Sequence, residues 1–353
     1  MSINIENVTI RKSLSIKNAM NIIGDSSARI LLVIDQEKKL LGTVTDGDLR
    51  RSMINDNDLD LPISEIMRIN PVVGKYGMSE NELLKIMTDK NLLAIPLLDS
   101  EGTLVGLETI HSLTKLDTNE NQVLIMAGGF GKRLKPMTDE TPKPLLSIED
   151  GPLLEKLIQN LSLNGFKKII ISIHYKAEMI KDYFKDGSDW GIEIDYIEED
   201  SPLGTGGSLR LLDQSRFNGL PFLVLNSDLV TTVDFRSMLD AHLQSGAKAT
   251  ICARQLEQII PYGVISHKDS FLETIEEKPK SNYLINAGIY ILDPSILGQL
   301  DNMKMKFDMT DFLQTLVNKG SKVFVFPIHE YWMDVGEIDD FKKARQDFNN
   351  KSK

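Results

Sequence analysis

A single cysteine, Cys252, in 353 residues excludes an internal disulfide and any site built from several cysteines. It sits in the apolar run ATICAR, which reads as a buried strand, so core packing is its expected role. Long hydrophobic runs are missing too. The longest, such as Lys168 to Ile173 (KIIISI), fall far short of the roughly 20 residues that span a bilayer. The opening MSINIENVTIRK has no signal-peptide layout, and a cytoplasmic location away from membranes is expected. Basic charge is also scarce: 40 Lys and Arg face 51 Asp and Glu, a formal net charge of −11. Neutralising a nucleic-acid backbone takes basic surface, which argues against that class of partner. Any phosphate recognition must be local, supplied by a loop and a few aimed cations.

What is present is an ordinary globular composition, 41% hydrophobic and 26% charged, in a chain longer than one core usually fills, so two domains are expected. The first third repeats itself at an offset of 64 positions, Leu14-Ser15 overlying Met78-Ser79. Each copy opens a helical pattern and then turns β-rich, with Ile30 to Asp35 (ILLVID) matching Ala94 to Asp99 (AIPLLD). Lys39 to Val44 (KLLGTV) matches Thr103 to Glu108 (TLVGLE), giving a hairpin of apolar strands and another helix in each unit. Copies are expected at about 9–62 and 63–117.

Two such units resemble a pair of cystathionine-β-synthase (CBS) domains, a tandem α+β (Bateman) module, most closely at the run from Gly42 to Arg50 (GTVTDGDLR). That resemblance implies that Thr45 and Asp48 contact the ribose and phosphate of an adenine nucleotide. Hydroxyl and carboxylate groups at a helix start suit ribose, and backbone amides there favour phosphate. The second copy keeps Thr109 but has Ser112 in place of Asp48, which leaves a second site unsupported. Equally open is a module that serves as scaffold or dimerisation surface, with Asp48 simply capping its helix; a homo-oligomer formed through CBS pairs is expected.

The polar segment Lys115 to Gln122 (KLDTNENQ) lacks periodicity and serves as the expected linker, with domains at 1–118 and 119–353. From Val123 onward apolar strands alternate with helical patterns, predicting an α/β, Rossmann-like, mostly parallel sheet with ligands at the carboxyl ends of its strands. There the strongest signal begins: Met126-Ala127-Gly128-Gly129-Phe130-Gly131-Lys132-Arg133-Leu134, then Pro136, Thr138 and Pro142-Lys143-Pro144-Leu145. Three glycines let the backbone approach a triphosphate, whose oxygens the amides can bind. Arg133, with its planar fork, suits the departing β and γ phosphates, and Lys143 suits a point charge beside the reacting ones. The bland alternative is a glycine turn flanked by solvated basic residues. Phe222 to Leu229 (FLVLNSDL) then delivers Asp228 at a strand's carboxyl end, where an acid can hold a metal.

Taken together, these strings resemble the signature of sugar-phosphate nucleotidylyltransferases from about Gln122 to the C-terminal helix. The resemblance implies that Ala127, Gly128, Gly129, Gly131, Lys132, Arg133, Glu199, Gly204 and Thr205 bind the nucleotide, and that Arg133, Lys143 and Asp228 act in catalysis. It implies a metal held by Asp228 and by Asp334 of Trp332-Met333-Asp334-Val335-Gly336, and oxygen donors suit Mg²⁺. It places the sugar phosphate against Gly263, Glu277, Lys278, Asn286 and Gly288, although Gly, Pro and Asn also mark ordinary turns. At Glu199, where thymidylyl and uridylyl members carry glutamine, an ionised carboxylate only accepts hydrogen bonds and pairs best with the adjacent N1–H and N2 amino donors of guanine. GTP is the expected nucleotide; the alternative is that Glu199 is surface charge in an acidic stretch. A CBS pair fused before such a transferase resembles guanylyltransferases acting on glucosamine 1-phosphate in bacterial legionaminic acid synthesis, with mannose, heptose or other hexose phosphates as alternatives. A protein of another class, a catalytically silent nucleotide sensor, is opposed by the joint presence of Arg133, Lys143, Asp228, Lys278 and Asp334.

Overall fold

The computed structural model describes residues 5–351 apart from 25, 27, 56–57, 91, 115–118 and 149–150; positions 115–118 of the expected linker thus lie outside the described residues. The chain divides into two compact units, one of residues 1–117 with 255–284 and 327–330, the other of 118–254, 285–326 and 331–353.

In the first unit the repeat is visible down to single hydrogen bonds. The hairpin Ile30–Ile34 with Leu40–Thr45 has its counterpart in Ala94–Leu98 with Leu104–Thr109, and the register of each shifts at the equivalent place, Val33/Ile34 and Leu97/Leu98. Asp35 Oδ1 accepts from the amides of Glu37 and Lys39, as Asp99 Oδ1 does from those of Glu101 and Thr103. These side-chain turns close both hairpins, with the positive φ at the bend taken by Lys38 in the first and by Gly102 in the second. Helices Ile16–Gly24 and Glu80–Lys90 pack apolar positions onto the sheets, the first through Ile16, Ala19, Met20 and Ile23 at helical spacing. One core spans both copies, since Leu104 and Leu107 pack with Val8, Leu31 and Leu49.

The second unit is built on seven strands in the spatial order Glu193–Glu198, Lys168–Ile173, Val123–Ala127, Phe222–Asn226, Lys280–Leu292, Ala249–Ile259 and Val323–Ile328. The first four are parallel; Lys280–Leu292 runs antiparallel to Phe222–Asn226. Lys168–Ile173 and Phe222–Asn226 are buried along almost their whole length on both faces, the pattern of parallel strands covered by helices on each side. Helix Leu153–Leu163 buries Leu153, Leu154, Leu157, Ile158 and Leu161 as one stripe. Cys252 is fully buried, as core packing requires. Val123–Ala127 has its successor Lys168–Ile173 on one side and Phe222–Asn226 on the other, so the strand order reverses beside it. A crevice opens at the carboxyl ends of parallel strands at such a point. Among the described residues no helix is long and apolar enough to cross a membrane.

Candidate active site

A cavity of about 480 Å³ lies at that crevice, lined by Gly128, Gly129, Gly131, Lys132 and Arg133, by Lys143, by Glu199, Gly204 and Thr205, and by Asn226, Ser227 and Asp228. The glycine segment leaves the strand Val123–Ala127 and turns at Gly131, whose φ of 62° and whose closeness to Thr138 and Lys143 leave no room for a side chain. Thr138 Oγ1 ties the turn by donating to the Gly131 carbonyl at 2.9 Å. Gly128 is a glycine for a different reason: a Cβ there would lie 2.8 Å from Glu199 Oε1.

Glu199 is not surface charge. It is 6% exposed, one residue past the strand Glu193–Glu198, and its carboxylate is held at both ends. Ser172 Oγ donates to Oε1 at 2.8 Å and the Leu203 amide to Oε2 at 3.1 Å.

Lys143 forms an ion pair with Asp228 Oδ2, both side chains being largely buried. Asp228 Oδ1 is buried without a hydrogen-bond partner among the described residues, a costly arrangement that a cation relieves. Asp334 lies beside it: the short strands Leu229–Thr231 and Trp332–Asp334 pair Leu229 with Asp334, and the Val335 amide donates to the Asp228 carbonyl at 3.0 Å. Burial, and then the neighbouring Asp228 carboxylate, push the Asp334 carboxyl up to about 6. Two crowded carboxylates with an orphaned oxygen form a hard, anionic donor set that fits a divalent cation. Among the described residues no cluster of three or more acidic, histidine or cysteine side chains could hold a metal alone. Arg133 is exposed at the mouth, 3.9 Å from Glu337.

The structure therefore gathers the expected nucleotide and catalytic residues around one cavity, except Ala127, which is buried in the strand Val123–Ala127 and does not line it, and puts Asp334 next to Asp228. Gly263, Glu277 and Lys278 lie in residues 255–284, which group with the first unit. Asn286 lies within the strand Lys280–Leu292, donating to the Tyr290 hydroxyl at 2.7 Å and accepting from the Gly288 amide at 3.0 Å. Gly288, at φ 69°, backs directly onto Asn226.

Further lining residues carried no local signal. Lys306 and Asp308 arrive just before helix Met309–Asn318. Asp308 Oδ1 accepts from the Thr205 amide at 3.0 Å and Thr205 Oγ1 from the Met309 amide at 3.0 Å, which pins the Gly204 turn. Asn226 and Ser227 lay inside the strand motif and could have been read from its carboxyl-end position.

In the first unit, Thr45 and Asp48 are engaged with each other as a capping box on helix Asp46–Ile54. Thr45 Oγ1 donates to Asp48 Oδ2 at 2.6 Å, and Arg51 takes the other carboxylate oxygen. The capping role is thus present; Thr109 and Ser112 repeat it in the second copy. Next to it, Arg50 and Glu330 pair at 2.7 Å, 4% and 7% exposed, while Arg50 also holds Asp46, whose Oδ1 lies 2.9 Å from His329 Nε2. Burial alone would raise the Asp46 and Glu330 carboxyls, but Arg50 and His329 outweigh it and hold both below their usual values.

The nucleotidyl transferase family profile matches residues 122–351, and the CBS domain profile matches 2–55 and 63–116. The chain belongs to the nucleotidyl transferase family. Among relatives of this nucleotidyl transferase is the mannose-1-phosphate guanyltransferase of Yarrowia lipolytica, 36% identical over 224 residues, 62% of this chain and 61% of the relative. The enzyme of that name from Saccharomyces cerevisiae is 33% identical over 225 residues, 62% of each chain. This chain thus spans about three fifths of the length of the curated relatives it matches. A crystal structure of HddC from Yersinia pseudotuberculosis, solved also with GMP-PN, superposes with a TM-score of 0.52 at 29% identity, covering 65% of this chain and 99% of that one. In this chain the CBS matches lie N-terminal to the nucleotidyl transferase match.

Proposed function

We propose that this chain is a sugar-1-phosphate guanylyltransferase that joins GTP and a sugar 1-phosphate into a GDP-sugar and pyrophosphate. The observation that carries the reading is Glu199, a buried carboxylate fixed against the glycine loop in the same cavity as Arg133, Lys143 and Asp228. It can only accept, and guanine offers two adjacent donors. The guanylyltransferase names of the relatives and the GMP-PN complex of HddC support the same base.

The reaction is a single in-line displacement. A phosphate oxygen of the sugar 1-phosphate attacks the α-phosphorus, the bond from that phosphorus to its β-bridging oxygen breaks, and pyrophosphate carries the electron pair away. The nucleophile is already anionic, so positioning and charge neutralisation are what the protein must supply. Glycine-loop amides and Arg133 take the departing phosphates, and Lys143 stands beside the reacting one. Asp228 and Asp334 would hold Mg²⁺, which supplies charge neutralisation and orientation to the phosphate oxygens. Lys278, Glu277, Gly263, Asn286 and Gly288 are proposed to meet the sugar phosphate.

For the acceptor, α-D-glucosamine 1-phosphate is the first choice, supported by the fused CBS architecture, and mannose 1-phosphate is the alternative supported by the names of the relatives. A pyrophosphate-release assay crossing ATP, CTP, GTP, UTP and dTTP with glucosamine, N-acetylglucosamine, mannose and glucose 1-phosphates decides both questions. Release confined to GTP is expected; release with UTP or dTTP alone overturns the base assignment, and none from any pair overturns the activity. At the CBS pair we propose an adenine nucleotide at Thr45 and Asp48. Thermal stabilisation of the full chain by AMP or ATP, lost in Asp48→Ala, is the expected result, and no stabilisation overturns it.

A further inference from the structure

We infer that Ser172 determines base specificity as a positioning residue, holding the Glu199 carboxylate where its remaining lone pairs can accept from a purine with two adjacent donors; the inference rests on the guanine reading above. Ser172 is the one polar residue in the interior of the strand Lys168–Ile173, and it is fully buried. A hydroxyl at such a place costs free energy unless its proton is used. It is used on Glu199, 27 positions later, at 2.8 Å.

The parallel register explains the encounter. Ser172 pairs with Ile197 and Ile173 with Glu198, so the chain leaving the neighbouring strand brings Glu199 to the level of the last residues of Lys168–Ile173, where its amide donates to the Ile173 carbonyl at 2.9 Å. The Leu203 amide takes the second oxygen, and the Gly128 backbone closes the remaining side within 3.0 Å of a would-be Cβ. Both donors are neutral. They orient the carboxylate without neutralising it, and each oxygen keeps acceptor capacity for a ligand. Without the hydroxyl, the Leu203 amide is the one hydrogen bond of the two that remains, and Oε1 loses its donor.

Replacing Ser172 should therefore affect discrimination between bases rather than affinity for the triphosphate. ITP differs from GTP only in lacking the 2-amino group, so the ratio of their dissociation constants reads the donor pair directly. The experiment is calorimetric titration of the full-length protein with GTP and with ITP at fixed Mg²⁺, for the wild type, Ser172→Ala, Glu199→Gln and the double variant. The wild type is expected to favour GTP, with Ser172→Ala reducing that preference about threefold to tenfold, the worth of one hydrogen bond. The double variant should show the preference of Glu199→Gln alone, because Ser172 acts through that carboxylate. Ser172→Cys, nearly the same size with a feeble donor, should fall between wild type and Ser172→Ala, and covers a packing fault in the alanine variant.

An unchanged preference in Ser172→Ala beside a collapsed one in Glu199→Gln overturns the inference and leaves the guanine reading standing. Equal weakening of GTP and ITP in Ser172→Ala, or a further loss in the double variant, overturns it as well. A wild type that binds ITP as tightly as GTP overturns both the guanine reading and the inference.

Discussion

Asp228 and Asp334 show how far a single side chain's role depends on its neighbours. Either alone could cap a turn, yet burial and then the neighbouring Asp228 carboxylate raise the cost of ionising Asp334, which ends a short strand paired just past Asp228. The Asp334 carboxyl, at about 6, is protonated below that pH, so a divalent cation must compete with a proton for it. Turnover at limiting Mg²⁺ is expected to fall as pH drops through about 6, and added Mg²⁺ should move the acid limb to lower pH. An acid limb insensitive to metal concentration would speak against the site. The stability sign is the reverse of that for an ion-paired acid. A carboxyl raised from 3.8 to about 6 destabilises the metal-free fold as pH rises between those values, so Asp334→Asn should melt higher than wild type at pH 7 without metal. Asp228→Asn should lower turnover on the order of a hundredfold to a thousandfold while its melting curve stays cooperative; near-normal turnover would remove Asp228 from the mechanism.

Turns, more than helices, carry the constraints at the scale of the element. Gly204 sits at φ 81°, and a Cβ there would stand 2.5 Å from the Phe307 carbonyl oxygen. Gly204→Ala should destabilise the protein by about 1–3 kcal/mol and weaken nucleotide binding, because Thr205 and Asp308 are tied to the same turn. Equilibrium denaturation beside nucleotide titration tests it, and an unchanged midpoint would show that the turn relaxes freely. The glycine loop obeys the same logic but not for one reason. Gly131 is needed for its backbone angle and for the Thr138 and Lys143 side chains beside it, Gly128 for the carboxylate packed against it, and Gly129 has open space where a side chain would stand. Local sequence announces that glycines are required there, but it cannot distinguish these reasons, since two of them depend on residues 7 to 71 positions away.

Across the whole molecule, the first unit is held together by contacts between very distant parts of the chain. Arg50 meets Glu330 across 280 positions, and the cluster of Asp46, Arg50, His329 and Glu330 is nearly dry. Removing the guanidinium would take the shared countercharge from two buried carboxylates, so Arg50→Ala is expected to cost about 3–5 kcal/mol, read as a lowered denaturation midpoint; a shift near zero would show the cluster to be hydrated. Asp46 and Glu330 are held below their ordinary 3.8 and 4.5. Their contribution is fully present above those values and is lost as pH falls through the lower folded-state ones. Acidification below about pH 4 should therefore act on wild type more than on Arg50→Ala.

Sequence alone determined the features that repeat or sit within a few residues of one another. The offset of 64 positions specified two copies down to the Asp35 and Asp99 turns, because those bonds span only two to four residues. Apolar strands alternating with helices specified the parallel sheet and its ligand-bearing edge, since burial on both faces leaves a continuous hydrophobic run. The glycine string and its downstream Lys143, with Asp228 at a strand's end, marked the cavity. Tertiary structure decided what lies between distant segments: that Glu199 is buried and held by Ser172, that Lys306 and Asp308 join the cavity wall, that Asp334 stands beside Asp228, and that residues 327–330 pack with the helix bearing Asp46 and Arg50. Those facts are long-range by nature. The sequence left Glu199 readable as a guanine acceptor or, alternatively, as surface charge, and only the fold shows which donors surround it.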